Sequence, residues 1–139
     1  DDCLALLAKH LIKQNAENNV VIITGDMDYL QLAHPRIQLM NLRFKPLATS
    51  KNSTGDPKKD LFIKIVTGDK SDNISGVFPK CGTKTAIKYY ENAELFKKKL
   101  DSNEEYVKKY KNNKKIIDFD EIPDDLTIKL RAEYEHLFN

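Results

Sequence analysis

Cysteine is scarce: Cys3 and Cys81 are the only two in 139 residues, and they stand outside any CxxC spacing. That excludes a disulfide framework and a cysteine-based zinc site, and it suits a reducing intracellular compartment. Long apolar runs are missing too. Nothing approaches the ~18 residues that a membrane span requires, so no membrane partner is expected. The chain opens on Asp1 and Asp2 rather than on a basic segment followed by an apolar stretch, so no signal peptide is read there. His10, His34 and His136 show neither HxH nor HxxxH spacing, which leaves them as surface or interface side chains.

What is present is an ordinary soluble composition, 40% hydrophobic and 32% charged, in a chain long enough for one compact domain around one main core. The net charge of +2 argues for no partner, but its distribution is uneven. Residues 80–115 carry eleven lysines against five acids, net +6, and residues 116–139 carry a net −5. The basic stretch suits a polyanion or a solvated helical face.

Leu4, Leu7, Ala8 and Leu11 recur at helical spacing and predict a helix over about 2–15. Val20–Thr24 is a continuous run of β-branched residues, the pattern of a buried parallel strand, ended by Gly25. A short helical piece at Tyr29–Ala33 and a second strand at Arg36–Leu42 follow. Residues 43–57 read as an extended arm or hairpin with a mobile tip at Ser50–Asp56. Helices are predicted over 57–66, 83–92, 93–100, 103–111 and 124–138. The simplest assembly is α/β, a parallel sheet flanked by helices and followed by a helical extension. Tyr89, Tyr90, Tyr106, Tyr110 and Tyr134 sit at helical spacings and read as packing residues.

The acidic residues gather at element boundaries. Asp26 and Asp28 follow the first strand, at the carboxyl edge where open α/β sheets bind ligands. Two carboxylates so close repel one another and suit a hard divalent cation; equally, one of them caps the short helix. Asp69 and Asp72 lie in the loop Gly68-Asp69-Lys70-Ser71-Asp72-Asn73, which by itself is also a well-satisfied turn. With Asp1 and Asp2, three acidic pairs occur in one small chain. Two divalent ions about 4 Å apart, held by such carboxylates, would generate hydroxide and stabilise both oxygens of a phosphodiester displacement.

The stretch Ser75–Ala86 is a glycine-containing turn leading into a helix start, where backbone N–H groups can receive a phosphate and Thr83, Lys84, Thr85 and Lys88 add donors. The other reading is an ordinary helical hairpin with solvated lysines.

In order, Asp1-Asp2-Cys3-Leu4-Ala5-Leu6-Leu7, VVIITGDMDYLQL (20–32), KIVTGDKSDNISGV (64–77) and Cys81-Gly82-Thr83-Lys84-Thr85-Ala86 resemble the second half of the nuclease domain in the flap endonuclease and 5′-3′ exonuclease family. The match covers residues 1 to about 92. The tail Ile116–Asp124 further resembles the T-even phage ribonuclease H branch and points to a viral or phage origin. The resemblance implies a PIN-like core, a helix-three-turn-helix that holds duplex DNA, and hydrolysis of DNA flaps or RNA–DNA hybrids with two Mg²⁺ or Mn²⁺ ions. On it, residues 1–67 are the C-terminal half of the core, 68–92 the helix-three-turn-helix and 93–139 a helical extension. Asp1, Asp2, Asp26, Asp28, Asp69 and Asp72 become metal ligands, Asp1 near both ions. Gly76, Lys80, Gly82, Thr83, Lys84, Thr85 and Lys88 become the nucleic-acid contacts. No small-molecule cofactor is expected.

Two departures accompany the match. The chain starts inside the family's E-A-D-D motif, so it is expected to be a fragment that lacks the N-terminal half of the domain and is inactive or weakly active alone. The family's Gly-Val-x-Gly-Ile-Gly is one residue longer here, with Lys80 where a glycine is usual. A non-catalytic duplex-binding module is the alternative reading. A phosphohydrolase with Asp26 as nucleophile ranks last, because that class needs Thr or Val where this chain has Leu30.

Overall fold

The computed structural model describes residues 1–138; Asn139, the end of the expected helical extension, lies outside them. The chain forms two compact units, one from residues 1–57 with the chain from Ile122 onward, the other from Lys58–Glu121. This differs from the single core expected. The polar stretch Lys51–Asp60 separates the apolar residues of the sheet region from those that follow, and each set collapses on its own.

In the first unit, helix α1 (Asp2–Gln14) has Asp2 in its first turn and Lys13 in its last, both matched to the helix dipole. Ala5 and Ala8 form its inner face, whereas Leu4, expected inside, is exposed. Small side chains let α1 approach the strand and turn beside it closely. The α1 C-terminus is capped from far along the chain: the Arg36 guanidinium donates to the Ile12 carbonyl at 2.6 Å and the Asn15 carbonyl at 2.8 Å.

Strands β1 (Val20–Ile23) and β2 (Ile37–Met40) pair in parallel, Val20 opposite Ile37 and Ile23 opposite Met40. The crossover between them is a 3-10 turn, Met27–Leu32, that buries Tyr29, Leu30 and Leu32 over the sheet residues Ile22, Ile37 and Leu39. Of the arm and the hairpin expected beyond β2, the chain takes the hairpin, with its turn nearer β2 than the expected tip at Ser50–Asp56. It turns back within Asn41–Lys45, bridges Met40 to Pro46, and buries Leu47 in a second 3-10 turn, Leu47–Thr49. Leu47 supplies the apolar anchor that an extended arm would have left in water.

The second unit is helical: α2 (Pro57–Thr67), α3 (Thr83–Glu91), α4 (Ala93–Asp101) and α5 (Glu104–Ile117). Its core joins Val66, Val77, Phe78 and Ala86 to an aromatic cluster. Phe78 meets Tyr106 edge-on at 5.1 Å and Tyr89 at 5.3 Å, and Phe96 meets Phe62 at 4.9 Å and Tyr110 at 5.3 Å, so Tyr89, Tyr106 and Tyr110 do pack. Asn92 and Asn103 cap α4 and α5 through their side chains. Helix α5 runs six residues past the expected end at 111 because its last turns are anchored: Ile117 is buried, and the Asn113 amide, 6% exposed, donates to the Ile65 and Ser75 carbonyls, each at 2.9 Å. The expected helix over 124–138 is two, α6 (Asp124–Glu133) and α7 (Glu135–Phe138), with Tyr134 off helical geometry; α6 buries none of its residues, so no packing enforces a continuous rod. Among the described residues no helix is long and apolar enough to cross a membrane.

Replacing Asn113 with alanine removes both hydrogen bonds and strands the buried Ile65 carbonyl. Urea denaturation of Asn113→Ala is expected to show a loss of about 2–3 kcal/mol, against under about 0.5 kcal/mol for exposed Asn112→Ala.

Candidate metal centre and backbone-binding hairpin

Parallel pairing sets the first group of acids. Thr24 continues β1 by donating its N–H to the Met40 carbonyl at 2.8 Å, and Gly25 then releases the chain over the carboxyl edge of the sheet. Asp26 caps the 3-10 turn, its Oδ1 accepting the Asp28 N–H at 2.9 Å, so the capping role weighed from sequence is real. A cap occupies one carboxylate oxygen and leaves the residue a hard-oxygen donor.

Asp1 stands at the start of α1 but makes no side-chain cap there. Its Oδ1 instead accepts the Tyr29 hydroxyl at 2.7 Å. Tyr29 is 6% exposed, and its phenol pKa is raised, first by burial and then by the fields of Asp26, Asp2 and Asp28. The structure thus gathers Asp1, Asp2, Asp26 and Asp28 around one buried phenol. The sequence places Tyr29 only in a short helical piece and gives it no role, although its position one residue after Asp28 was a signal.

In the second unit, α2 ends at Gly68, whose φ of +76° requires glycine; a Cβ there would collide with the Ile74 carbonyl oxygen. Asp69 and Ile74 then exchange backbone hydrogen bonds at 2.9 and 2.7 Å, closing a loop that has Asn73 in the left-handed region. The Asp69 carboxylate is densely engaged. Oδ1 accepts the Ser71 N–H at 2.8 Å and its hydroxyl at 2.5 Å, and Oδ2 pairs with the Lys64 ammonium at 2.7 Å. These donors, Lys64 first, hold its pKa far below the usual carboxylate range. Lys64, in the last turn of α2, was not foreseen; it puts a positive charge directly on Asp69. Asp72, in the same loop, is exposed.

The hairpin residues divide. Gly76 packs against α2: a Cβ would lie 2.9 Å from the Thr67 carbonyl oxygen, and Val77 donates to the Val66 carbonyl at 2.9 Å. Gly82 is the N-terminal cap of α3 with no side-chain cap, and nothing lies within 4 Å of where its Cβ would be. Thr83, Lys84, Thr85 and Lys88 around it are exposed, so the α3 start is open to an anion. Lys80 is exposed and left-handed, at a φ of +54°. The glycine expected at its position would have taken that conformation without strain.

No family model matches the chain. Among curated proteins, it is 30% identical to the ribonuclease H of enterobacteria phage T4 over 149 residues, spanning 96% of this chain and 47% of that protein. It is 32% identical to a 5′-3′ exonuclease of Bacillus subtilis over 110 residues, 73% of this chain and 36% of that protein. It is 33% identical to DNA polymerase I of the same organism over 113 residues, 76% of this chain and 12% of the polymerase. This chain belongs to the flap endonuclease and 5′-3′ exonuclease family. It spans less than half the length of these relatives. The fold is shared with two solved T5 structures: a 5′-exonuclease mutant (TM-score 0.66, 17% identity, 99% of this chain and 65% of that one) and the D15 protein co-crystallised with metal ions (TM-score 0.69, 16% identity, 99% and 59%). Both share its mixed α/β architecture.

The Lys64–Asp69 pair has a signed pH consequence. Asp69 has a lowered pKa when folded, so its contribution is complete above the unfolded value of about 3.9 and fades as pH falls below it. In metal-free buffer, Lys64→Met is expected to cost about 1 kcal/mol at pH 7 and less, though not nothing, at pH 2.5. Urea titrations at the two pH values measure the difference; equal losses at both would contradict the pairing.

Proposed function

We propose that the chain carries the downstream part of the catalytic centre of a divalent-metal-dependent 5′ nuclease that hydrolyses phosphodiesters in DNA flaps or RNA–DNA hybrids. The carrying observation is the set of carboxylates at the carboxyl edge of a parallel sheet, around Tyr29, in a chain of this family. Asp1, Asp2, Asp26, Asp28, Asp69 and Asp72 are the metal ligands in this reading. The all-oxygen donor set fits Mg²⁺ or Mn²⁺ rather than a softer ion. Two such ions, when bound, supply an activated water and neutralise charge on the phosphate. The chain's own groups place the carboxylates: the Tyr29 hydroxyl orients Asp1, the Asp28 N–H orients Asp26, and Ser71 with Lys64 orients Asp69. Residues 68–92 hold the duplex backbone, with the open α3 start, Lys84 and Lys88 as phosphate contacts, and Lys80, Thr83 and Thr85 beside them.

The remaining partner is the N-terminal half of the nuclease domain. Val21 and Ile23 on β1 are 53% and 48% exposed, and a parallel pair with an apolar flank is stable once covered. Free Cys3 and Cys81 fit a reducing intracellular setting. A non-catalytic duplex-binding module is the second reading, favoured by one observation: the Asp69 carboxylate is already engaged by Lys64 and Ser71.

Cleavage decides between them. With Mg²⁺ or Mn²⁺ and a 5′-flap or RNA–DNA hybrid, the complete protein carrying Asp26→Asn and Asp69→Asn is expected to cut at least ~100-fold more slowly than its parent. Cutting at the parental rate would remove the metal-ligand reading. Lys84→Ala is expected to weaken duplex binding in EDTA for every sequence alike and to lower the slope of log affinity against log salt by about 1.

A further inference from the structure

The turn between β2 and Pro46 presents two large apolar side chains to solvent: Leu42 is 74% and Phe44 70% exposed. Neither is on a loose loop. The Asn41 side-chain oxygen accepts the Arg43 N–H at 2.8 Å and the Lys45 N–H at 3.1 Å. The Asn41 N–H donates to the Lys45 carbonyl at 2.8 Å, and the Phe44 N–H to the Asn41 carbonyl at 2.9 Å. These bonds hold Phe44 at a φ of +57°, a conformation that bulky residues avoid and glycine accepts freely. A bulky ring is therefore held outward at a position where glycine would relieve strain and remove apolar surface from water.

Place and charge indicate what meets it. β1 and β2 are parallel and in register, Ile23 opposite Met40, so this turn leaves the same sheet edge from which Thr24 leads to Asp26 and Asp28. Arg43 and Lys45 flank Phe44, both exposed, so the tip is apolar at its centre and cationic on either side. That combination complements unpaired nucleotides, whose bases stack on aromatic rings while their phosphates pair with basic side chains.

We infer that Asn41–Lys45 is a rigid wedge that receives the unpaired bases of the nucleic-acid substrate, Phe44 stacking on a base with Leu42 beside it and Arg43 and Lys45 on the adjoining phosphates. The inference rests on the nucleic-acid reading of the site and adds to it the single-stranded part of the substrate. It also explains why a strained, exposed phenylalanine is held on a turn built for glycine.

The test compares binding of a fluorescently labelled single-stranded 12-mer with that of the same backbone made abasic throughout, at low salt in EDTA. Phe44→Gly is expected to lower affinity for the base-bearing strand roughly ten-fold, with little change for the abasic strand, and Phe44→Tyr to bind as the parent does. The melting temperature of Phe44→Gly should equal or exceed the parent's, which separates lost stacking from lost folding. Parental binding of the base-bearing strand by Phe44→Gly, as when the tip docks another protein surface, would overturn the inference. So would an equal loss on both strands. Lys84→Ala serves as the control: if it weakens both strands while Phe44→Gly weakens neither, the wedge fails and the nucleic-acid reading stands. If the parent binds neither strand, both fail.

Discussion

Concentrated negative charge is the constraint that the acidic end of the sheet must satisfy, and the hydrogen bond from Tyr29 to Asp1 is where it is met most directly. Residues 28 positions apart are joined at 2.7 Å, the ring of one lying in the core that α1 and the sheet share. The phenol is a neutral donor whose own ionisation is suppressed by burial and by Asp26, Asp2 and Asp28, so it remains a donor throughout the physiological range. A lysine in its place would cancel charge that a divalent cation is suited to cancel. Tyr29 orients a carboxylate and leaves its charge intact.

Asp69 follows a different solution. Its three donors include a full positive charge, and the loop around it is closed by backbone bonds and pinned through Ser75 to buried Asn113. The same amide binds the Ile65 carbonyl, so α5, the end of α2 and the segment at Ser75 that leads into the hairpin share one side chain. Protein groups alone thus make several of the contacts that shape the acidic loop. In the metal-ligand reading, a cation at Asp69 would compete with Lys64, an exchange of one positive partner for another that would cost far less than building a site from a disordered loop.

How much of this was legible depends on the range of the interaction. β1 could be read because four β-branched residues in a row have few other stable uses, and the Asp26 cap because capping is local. Arg36 on the α1 carbonyls, Tyr29 on Asp1 and Asn113 on Ile65 join residues 24, 28 and 48 positions apart. No local pattern announces them: the site role of Tyr29 and the cap from Arg36 went unread, and the end of α5 moved by six residues. The two-unit division was equally hidden, since total apolar content says nothing about how it segregates. The position of Lys80 lay in between. The family's glycine marked a turn that needs a left-handed residue, and the turn persists at a φ of +54° although the glycine does not.

Lys80 and Phe44 then pose one question. Each occupies a left-handed turn position at a cost of about 1–2 kcal/mol that glycine would avoid, and each side chain is solvent-exposed, where packing returns little. Asn73, the third such residue, is a type that tolerates the conformation through local hydrogen bonding, and its turn carries Asp69. Glycine was available at all three positions and was used at Gly68, where a side chain physically collides. Strain is tolerated where the surrounding structure over-determines it, and it tends to collect where a side chain meets a ligand. One basic and one aromatic residue, each projecting from a fixed turn, are the two side-chain types that grip the phosphates and the bases of a nucleic acid.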